Sequence, residues 1–302
     1  MSPSQISICG SEVHYWTYGP ADGRTILMVH GFRGNHVGLL KIIAGLEGYR
    51  VIVPDLPGYG LSTPMTEFAH DVTGYSAFVK ALIAELQLHR VVLLGHSFGS
   101  IIAAHVAATE PDLVSELILV SPIAGSPRAG ISRPLARLVE GYYWLTAHLP
   151  EPLAERVIMS KTFNRLMSLT LTKTRDRQTR RAIYRHHLGD LEFVQDRRVI
   201  AESFPDSVAK TAADEAEHIP HRTLLVAGEN DPISPAEYQR RLDDRLAQST
   251  LVLIPRVGHL VHLETPSEAA RAIDEFLVGE SRPEDDQRLE GSVTACSYNA
   301  TN

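Results

Sequence analysis

The chain has 302 residues, 44% of them apolar and 22% charged, a balance that suits a globular protein with a large core. Its 29 basic and 36 acidic residues leave a net charge of −7, which gives no sign of a nucleic-acid partner or an anionic membrane surface. Two cysteines at opposite ends, Cys9 and Cys296, offer neither a disulfide framework nor a zinc spacing.

The opening residues Met1-Ser2-Pro3-Ser4-Gln5 lack the basic and apolar blocks of a secretory signal. No stretch approaches the roughly 18 apolar residues of a membrane span, so a cytoplasmic protein is expected. Ile6–Cys9 and Val13–Tyr18 read as an antiparallel pair. Thr25–Val29, Arg50–Val53, Val91–Leu94, Leu117–Val120, Thr223–Ala227 and Leu251–Ile254 read as buried parallel strands. Helices are expected over His36–Leu46, Asp71–Leu86, Phe98–Thr109, Pro235–Ala247 and Pro266–Leu277. The last begins Thr265-Pro266-Ser267-Glu268, a capping residue followed by proline and glutamate in the first turn. Strands alternating with helices predict an α/β fold with a mostly parallel central sheet flanked by helices.

The alternation stops between Ala124 and Pro220, where helical patterns and charges replace strand-like runs. That stretch is too long for a loop and reads as a helical insertion over the sheet. The expected organisation is therefore a core of residues 1–123 and 221–280, an insertion at 124–220, and a polar tail at 281–302 expected to be disordered.

Chemistry enters at Gly95-His96-Ser97-Phe98-Gly99, directly after one predicted strand and directly before a predicted helix. A serine on a sharp strand-to-helix turn exposes its hydroxyl, and flanking glycines leave room for the strained backbone. Such a nucleophile needs a histidine base and an acid that orients it, on loops after later strands. Gly228-Glu229-Asn230-Asp231-Pro232 follows one of those strands, and Pro255-Arg256-Val257-Gly258-His259 follows the next. The candidates in chain order are Ser97, Asp231 and His259, with Glu229 a competing acid and His262 a competing base. The plain alternatives are a capping serine, a capping aspartate and a packing histidine.

Five motifs in this order resemble the α/β-hydrolase superfamily over roughly residues 10 to 279. Besides the elbow and the two late loops, His30-Gly31-Phe32 resembles the family's His-Gly oxyanion segment. Asp55-Leu56-Pro57-Gly58-Tyr59-Gly60-Leu61-Ser62 resembles its Gly-rich turn. The resemblance implies a helical cap at the insertion and an oxyanion hole from the backbone N–H groups of Phe32 and Phe98. It makes Ser97 the nucleophile, His259 the base and Asp231 the residue that fixes the imidazole. His30 and His96 then brace loops by hydrogen bonds, and Asp55 stabilises its turn.

The implied activity is hydrolysis of a carboxylic ester, thioester or lactone through an acyl-enzyme, on a small-molecule substrate with an apolar acyl part. No cofactor or metal is required. A carbon–carbon bond hydrolase of vinylogous diketones is the second expectation, with Arg181 or Arg185 holding a substrate carboxylate. Leu260 and His96 stand where those relatives commonly have Trp and Asn. A ligand receptor and a cofactor-free His–Asp oxygenase or lyase are further alternatives. Tyr142, Tyr143 and Trp144 are candidates for the pocket wall or for packing, and the basic run Lys173–Arg185 for a docking face or a solvated helix. The oligomeric state is not readable.

Overall fold

A computed structural model describes residues 3–125, 133–193 and 196–279. The tail expected to be disordered, 281–302, lies outside the described residues. The strands are β1 (Ser4–Ile8), β2 (Ser11–Tyr18), β3 (Thr25–Val29), β4 (Arg50–Pro54), β5 (Val91–His96), β6 (Val114–Val120), β7 (Thr223–Gly228) and β8 (Ser249–Ile254). They form one sheet in the order β1-β2-β4-β3-β5-β6-β7-β8. β1 and β2 pair antiparallel, as do β2 and β4, and every later pairing is parallel. Apolar runs such as Val91–Leu94 form strands because both faces of the sheet are covered, and β5 is buried along its whole length.

Helices α1 (Leu40–Ile43), α2 (Val72–Glu85) and α3 (Phe98–Thr109) follow β3, β4 and β5. In α2 the buried residues Val72, Tyr75, Val79, Leu82 and Ile83 recur at helical spacing and face the core. Full burial of each such side chain is worth about 1.5–3 kcal/mol. Asp71 begins this helix by accepting from the Gly74 N–H at 2.8 Å.

Helices α4 (Arg133–His148), α5 (Glu151–Ile158), α6 (Lys161–Leu171), α7 (Arg177–Asp190) and α8 (Arg197–Ala209) lie between β6 and β7. Among the described residues that stretch contains no strand. α8 rests on the Gly-rich turn: the Ser203 hydroxyl lies 2.8 Å from the Tyr59 hydroxyl. A Cβ on Gly58 would fall 2.4 Å from Val199. Asp55 holds that turn by accepting from the Leu61 and His36 N–H groups, each at 2.8 Å. α9 (Ala236–Arg245), α10 (Val261–Glu264) and α11 (Pro266–Val278) complete the chain.

Two expectations change. The single helix expected at His36–Leu46 is a 3-10 turn, His36–Leu39, followed by the four residues of α1. Asn35 caps the turn at Val37, and Gly38 and Gly45 weaken a longer helix. Thr265 does not cap α11 through its side chain. Its N–H closes the preceding turn on Val261, and its buried hydroxyl has no partner among the described residues.

Candidate active site

Loops at the C-terminal ends of β3, β5, β7 and β8 meet above the sheet, the edge where open α/β folds bind ligands. At the end of β5 the chain reverses sharply, and Ser97 takes φ 52° and ψ −118°. A non-glycine residue in that region costs about 1–3 kcal/mol. The glycines on either side serve close approach. A Cβ on Gly95 would fall 2.2 Å from the Gly99 carbonyl oxygen, and one on Gly99 2.3 Å from that of Val29. Ser97 N–H donates to Val120 at 3.1 Å, which ties the elbow to the neighbouring strand.

The Ser97 hydroxyl lies 2.9 Å from His259 Nε2, and His259 Nδ1 lies 2.7 Å from Asp231 Oδ2. Asp231 Oδ1 accepts from the N–H groups of Ile233 at 2.7 Å and Ser234 at 3.1 Å. A carboxylate only accepts, so the imidazole proton sits on Nδ1 and the Nε2 lone pair faces the hydroxyl. His259 and Asp231 are both buried. The arrangement is able to draw a proton from a hydroxyl as that oxygen bonds to carbon.

The segment after β3 passes beside the elbow: a Cβ on Gly31 would lie 3.1 Å from Ser97 Cβ. Among the described residues, neither the Phe32 nor the Phe98 N–H has a hydrogen-bond acceptor. His30 braces the loop, accepting from Leu56 N–H at 2.9 Å, with Nδ1 2.9 Å from the Gly31 carbonyl.

Ser97 and His259 open on a cavity of about 240 Å³, lined in part by the helices between β6 and β7. Its lining is in part apolar, from Phe32, Phe98, Ile123, Tyr143, Phe204 and Ile233. The polar part of the lining includes Arg33, Asn35, Asn164, His186, His187 and Asp190. Burial pushes His96 and His262 well below the ordinary imidazole value and His187 down to about 4. Burial likewise raises the Asp190 carboxyl to about 7, against the Asn35 hydrogen bond and the Arg33 charge.

Ser97, His259 and Asp231 come together, as do the segments carrying Phe32 and Phe98. Glu229 is exposed, and its N–H closes the strand end on Ile254. His262 packs its ring 3.9 Å from that of His96. His96 departs from the loop-bracing role expected of it, because among the described residues its buried Nε2 has no hydrogen-bond partner. Of the aromatic trio, Tyr143 lines the cavity, Tyr142 stacks on Phe163 at 3.5 Å, and Trp144 is 61% exposed. Arg181 and Arg185 are exposed and neither lines the cavity. The sequence carries no signal that points to Arg33 or Asp190.

The loop carrying His259 is bonded directly to the segment between β6 and β7. Glu264 accepts from the N–H groups of Gly258 at 3.0 Å, Lys173 at 3.0 Å and Thr174 at 2.5 Å. His259 N–H donates to the Leu171 carbonyl at 3.1 Å. Among the described residues, no group of three or more His, Cys, Asp or Glu is arranged to hold a metal ion, and no helix is long and apolar enough to cross a membrane.

A family model described as the alpha/beta hydrolase fold matches residues 24–266. The chain is 26% identical to an uncharacterized hydrolase, YugF, of Bacillus subtilis, over 90% of this chain and 97% of that protein. It is 26% identical to a 2-hydroxy-6-oxononadienedioate/2-hydroxy-6-oxononatrienedioate hydrolase of Cupriavidus pinatubonensis, over 85% of this chain and 88% of the other. The structure of an esterase from Exiguobacterium antarcticum superposes with a TM-score of 0.75 at 20% identity, covering 92% of this chain and 100% of that one.

Proposed function

The chain belongs to the alpha/beta hydrolase fold family, and from that premise we propose that it is a serine hydrolase cleaving a carboxylic ester through an acyl-enzyme. The observation that carries this reading is the relay from Ser97 Oγ through His259 to Asp231, opening on a partly apolar cavity. Ser97 Oγ attacks the ester carbonyl carbon while its proton passes to His259 Nε2. Asp231 holds the imidazole tautomer and stabilises the imidazolium. The N–H groups of Phe32 and Phe98 receive the oxyanion, and losing one such donor typically costs about 100- to 1,000-fold in rate. Collapse expels the alkoxide, which takes the proton from Nε2. Water then repeats the cycle on the acyl-enzyme and releases the acid.

The insertion acts as the cap, and the acyl chain lies along Phe32, Tyr143 and Phe204. Thioesters and lactones would use the same atoms. The name of the Cupriavidus relative supports carbon–carbon bond hydrolysis as a second reading. Against it, Leu260 follows His259 and the cap arginines Arg181 and Arg185 lie away from the cavity.

The test is a panel of p-nitrophenyl esters, thioesters, lactones and vinylogous diketones, run with wild type and Ser97→Ala. Multiple turnovers on esters that fall by a factor of about 1,000 or more in the variant are expected. Ester turnover that survives the substitution refutes the acyl-enzyme. Retained activity in Ser97→Ala with loss in His259→Ala would instead indicate His–Asp proton abstraction, and binding with at most one cycle a receptor.

A further inference from the structure

Arg33 directly follows Phe32, and its side chain reaches the helices between β6 and β7. Nη1 donates to the Tyr143 hydroxyl at 3.3 Å and Nη2 to the Ile158 carbonyl at 3.0 Å. Both partners are neutral. Among the described residues no carboxylate oxygen lies within 4.0 Å of the guanidinium. Arg33 is half-buried, and its side chain lines the cavity that Ser97 and His259 open on. A half-buried cation with neutral partners has lost part of its hydration, and an anion placed beside it offsets that cost.

Asp190 is the carboxyl in the same cavity lining, and it is not a full counter-ion. Were it paired with Arg33, its proton would leave below the ordinary carboxylate range. Instead burial outweighs the pull of Arg33 and holds the carboxyl near 7. Its Oδ1 accepts from Asn35 Nδ2 at 3.1 Å, and its Oδ2 lies 3.6 Å from His186 Nε2. His186 and His187, lowered mainly by burial, add no negative charge. Among the described lining residues Asp190 is the one carboxyl, and it makes no ion pair with Arg33, so the positive charge is neutralised only in part.

Arg33 is continuous with the proposed acyl path. Tyr143, which receives the Arg33 hydrogen bond, stacks on Phe204 at 4.1 Å and meets Phe32 edge-on at 5.5 Å. We propose that Arg33 binds a carboxylate at the far end of the substrate's acyl chain, so that the enzyme prefers half-esters of dicarboxylic acids to neutral esters. The inference rests on the acyl-transfer reading of Ser97. Arg33 thereby selects the substrate, because a planar guanidinium pairs with a carboxylate through two parallel hydrogen bonds.

The experiment compares mono-p-nitrophenyl esters of glutaric, adipic and pimelic acid with the pentanoate, hexanoate and heptanoate. The readout is the ratio of kcat/KM within each matched pair, which cancels any general loss of activity. In wild type the best half-ester should lead its neutral partner by about tenfold or more. Arg33→Gln should cut that ratio by about 100-fold, the usual scale for removing one member of a buried charge pair. Arg33→Lys, which keeps the charge, should cut it less. Esters turned over with no preference in wild type overturn the inference while leaving the hydrolase reading intact, with no variant required. If wild type turns over no ester, the acyl-transfer reading falls instead. Calorimetric titration with adipate and adipamide then decides on the subsite: tighter binding of adipate that Arg33→Gln abolishes supports it, and equal binding overturns it.

Discussion

Asp190→Asn gives a direct reading of the electrostatics among the polar residues lining the cavity. The carboxyl ends α7 with its side chain 13% exposed, and burial raises it from the ordinary 3.8 to about 7. The unfolded chain releases this proton near 3.8, whereas the folded chain holds it until about 7. Stability from this group is therefore complete below pH 4, declines as pH rises to 7, and is flat above. The whole decline is worth up to about 4 kcal/mol, at about 1.4 kcal/mol per pH unit. Asparagine has no proton to release and keeps an oxygen to accept from Asn35. Its advantage over wild type should thus grow by about 3 kcal/mol between pH 5 and pH 8. Urea unfolding followed by tryptophan fluorescence at both pH values measures it. His187, lowered to about 4 mainly by burial, acts in the opposite sense, costing stability as pH falls below its unfolded value, but it is present in both proteins. Two stability curves that run parallel from pH 5 to pH 8 would refute a buried carboxyl uncompensated by Arg33.

Two further outcomes test the elbow and the relay. Asp231→Asn should lower kcat on a p-nitrophenyl ester by about 10,000-fold, because the amide can leave the imidazole in the wrong tautomer. An unchanged kcat would assign the orienting role elsewhere, with exposed Glu229 as the first residue to examine. Gly99→Ala should destabilise the fold by about 1–3 kcal/mol or more in calorimetry, since the new Cβ meets the Val29 and His30 carbonyl oxygens at 2.3 Å and 2.7 Å. A melting temperature equal to that of wild type would remove the steric account of this glycine.

What is legible in the sequence is local or repeated. Val91–Leu94 followed by Gly95 and Gly99 states a strand, a reversal and a helix within a dozen residues. The loops carrying Asp231 and His259 are legible because strands precede them. Longer-range influences are not. Thr265 has the composition of a cap, but α10 ends against it and its N–H is already used. The sequence suggests that His96 braces a loop, yet its neighbour is the His262 ring, delivered by a distant turn. Arg181 and Arg185 stand out on charge alone. Nothing local says that Arg33 is the arginine in the cavity, because its partners lie 110 and 125 residues away.

The same long-range bonding links the segment between β6 and β7 to the loop carrying His259. His259 must stay within hydrogen-bond reach of Ser97, and its loop follows a strand whose register alone does not fix it. Glu264 supplies the missing restraint by gathering N–H groups from Gly258 on one side and from Lys173 and Thr174 on the other. Hydrogen bonds to a charged group contribute about 1.5–3 kcal/mol each, so this part of the segment is held more firmly than its packing alone would hold it. Leu171 adds a bond to the His259 N–H itself. Any displacement of residues 171–174 therefore also moves the imidazole, and substitutions there should register in kcat as well as in KM. Among the described residues, Tyr143 and Ile158, where Arg33 meets them, make no such hydrogen bond to the His259 loop.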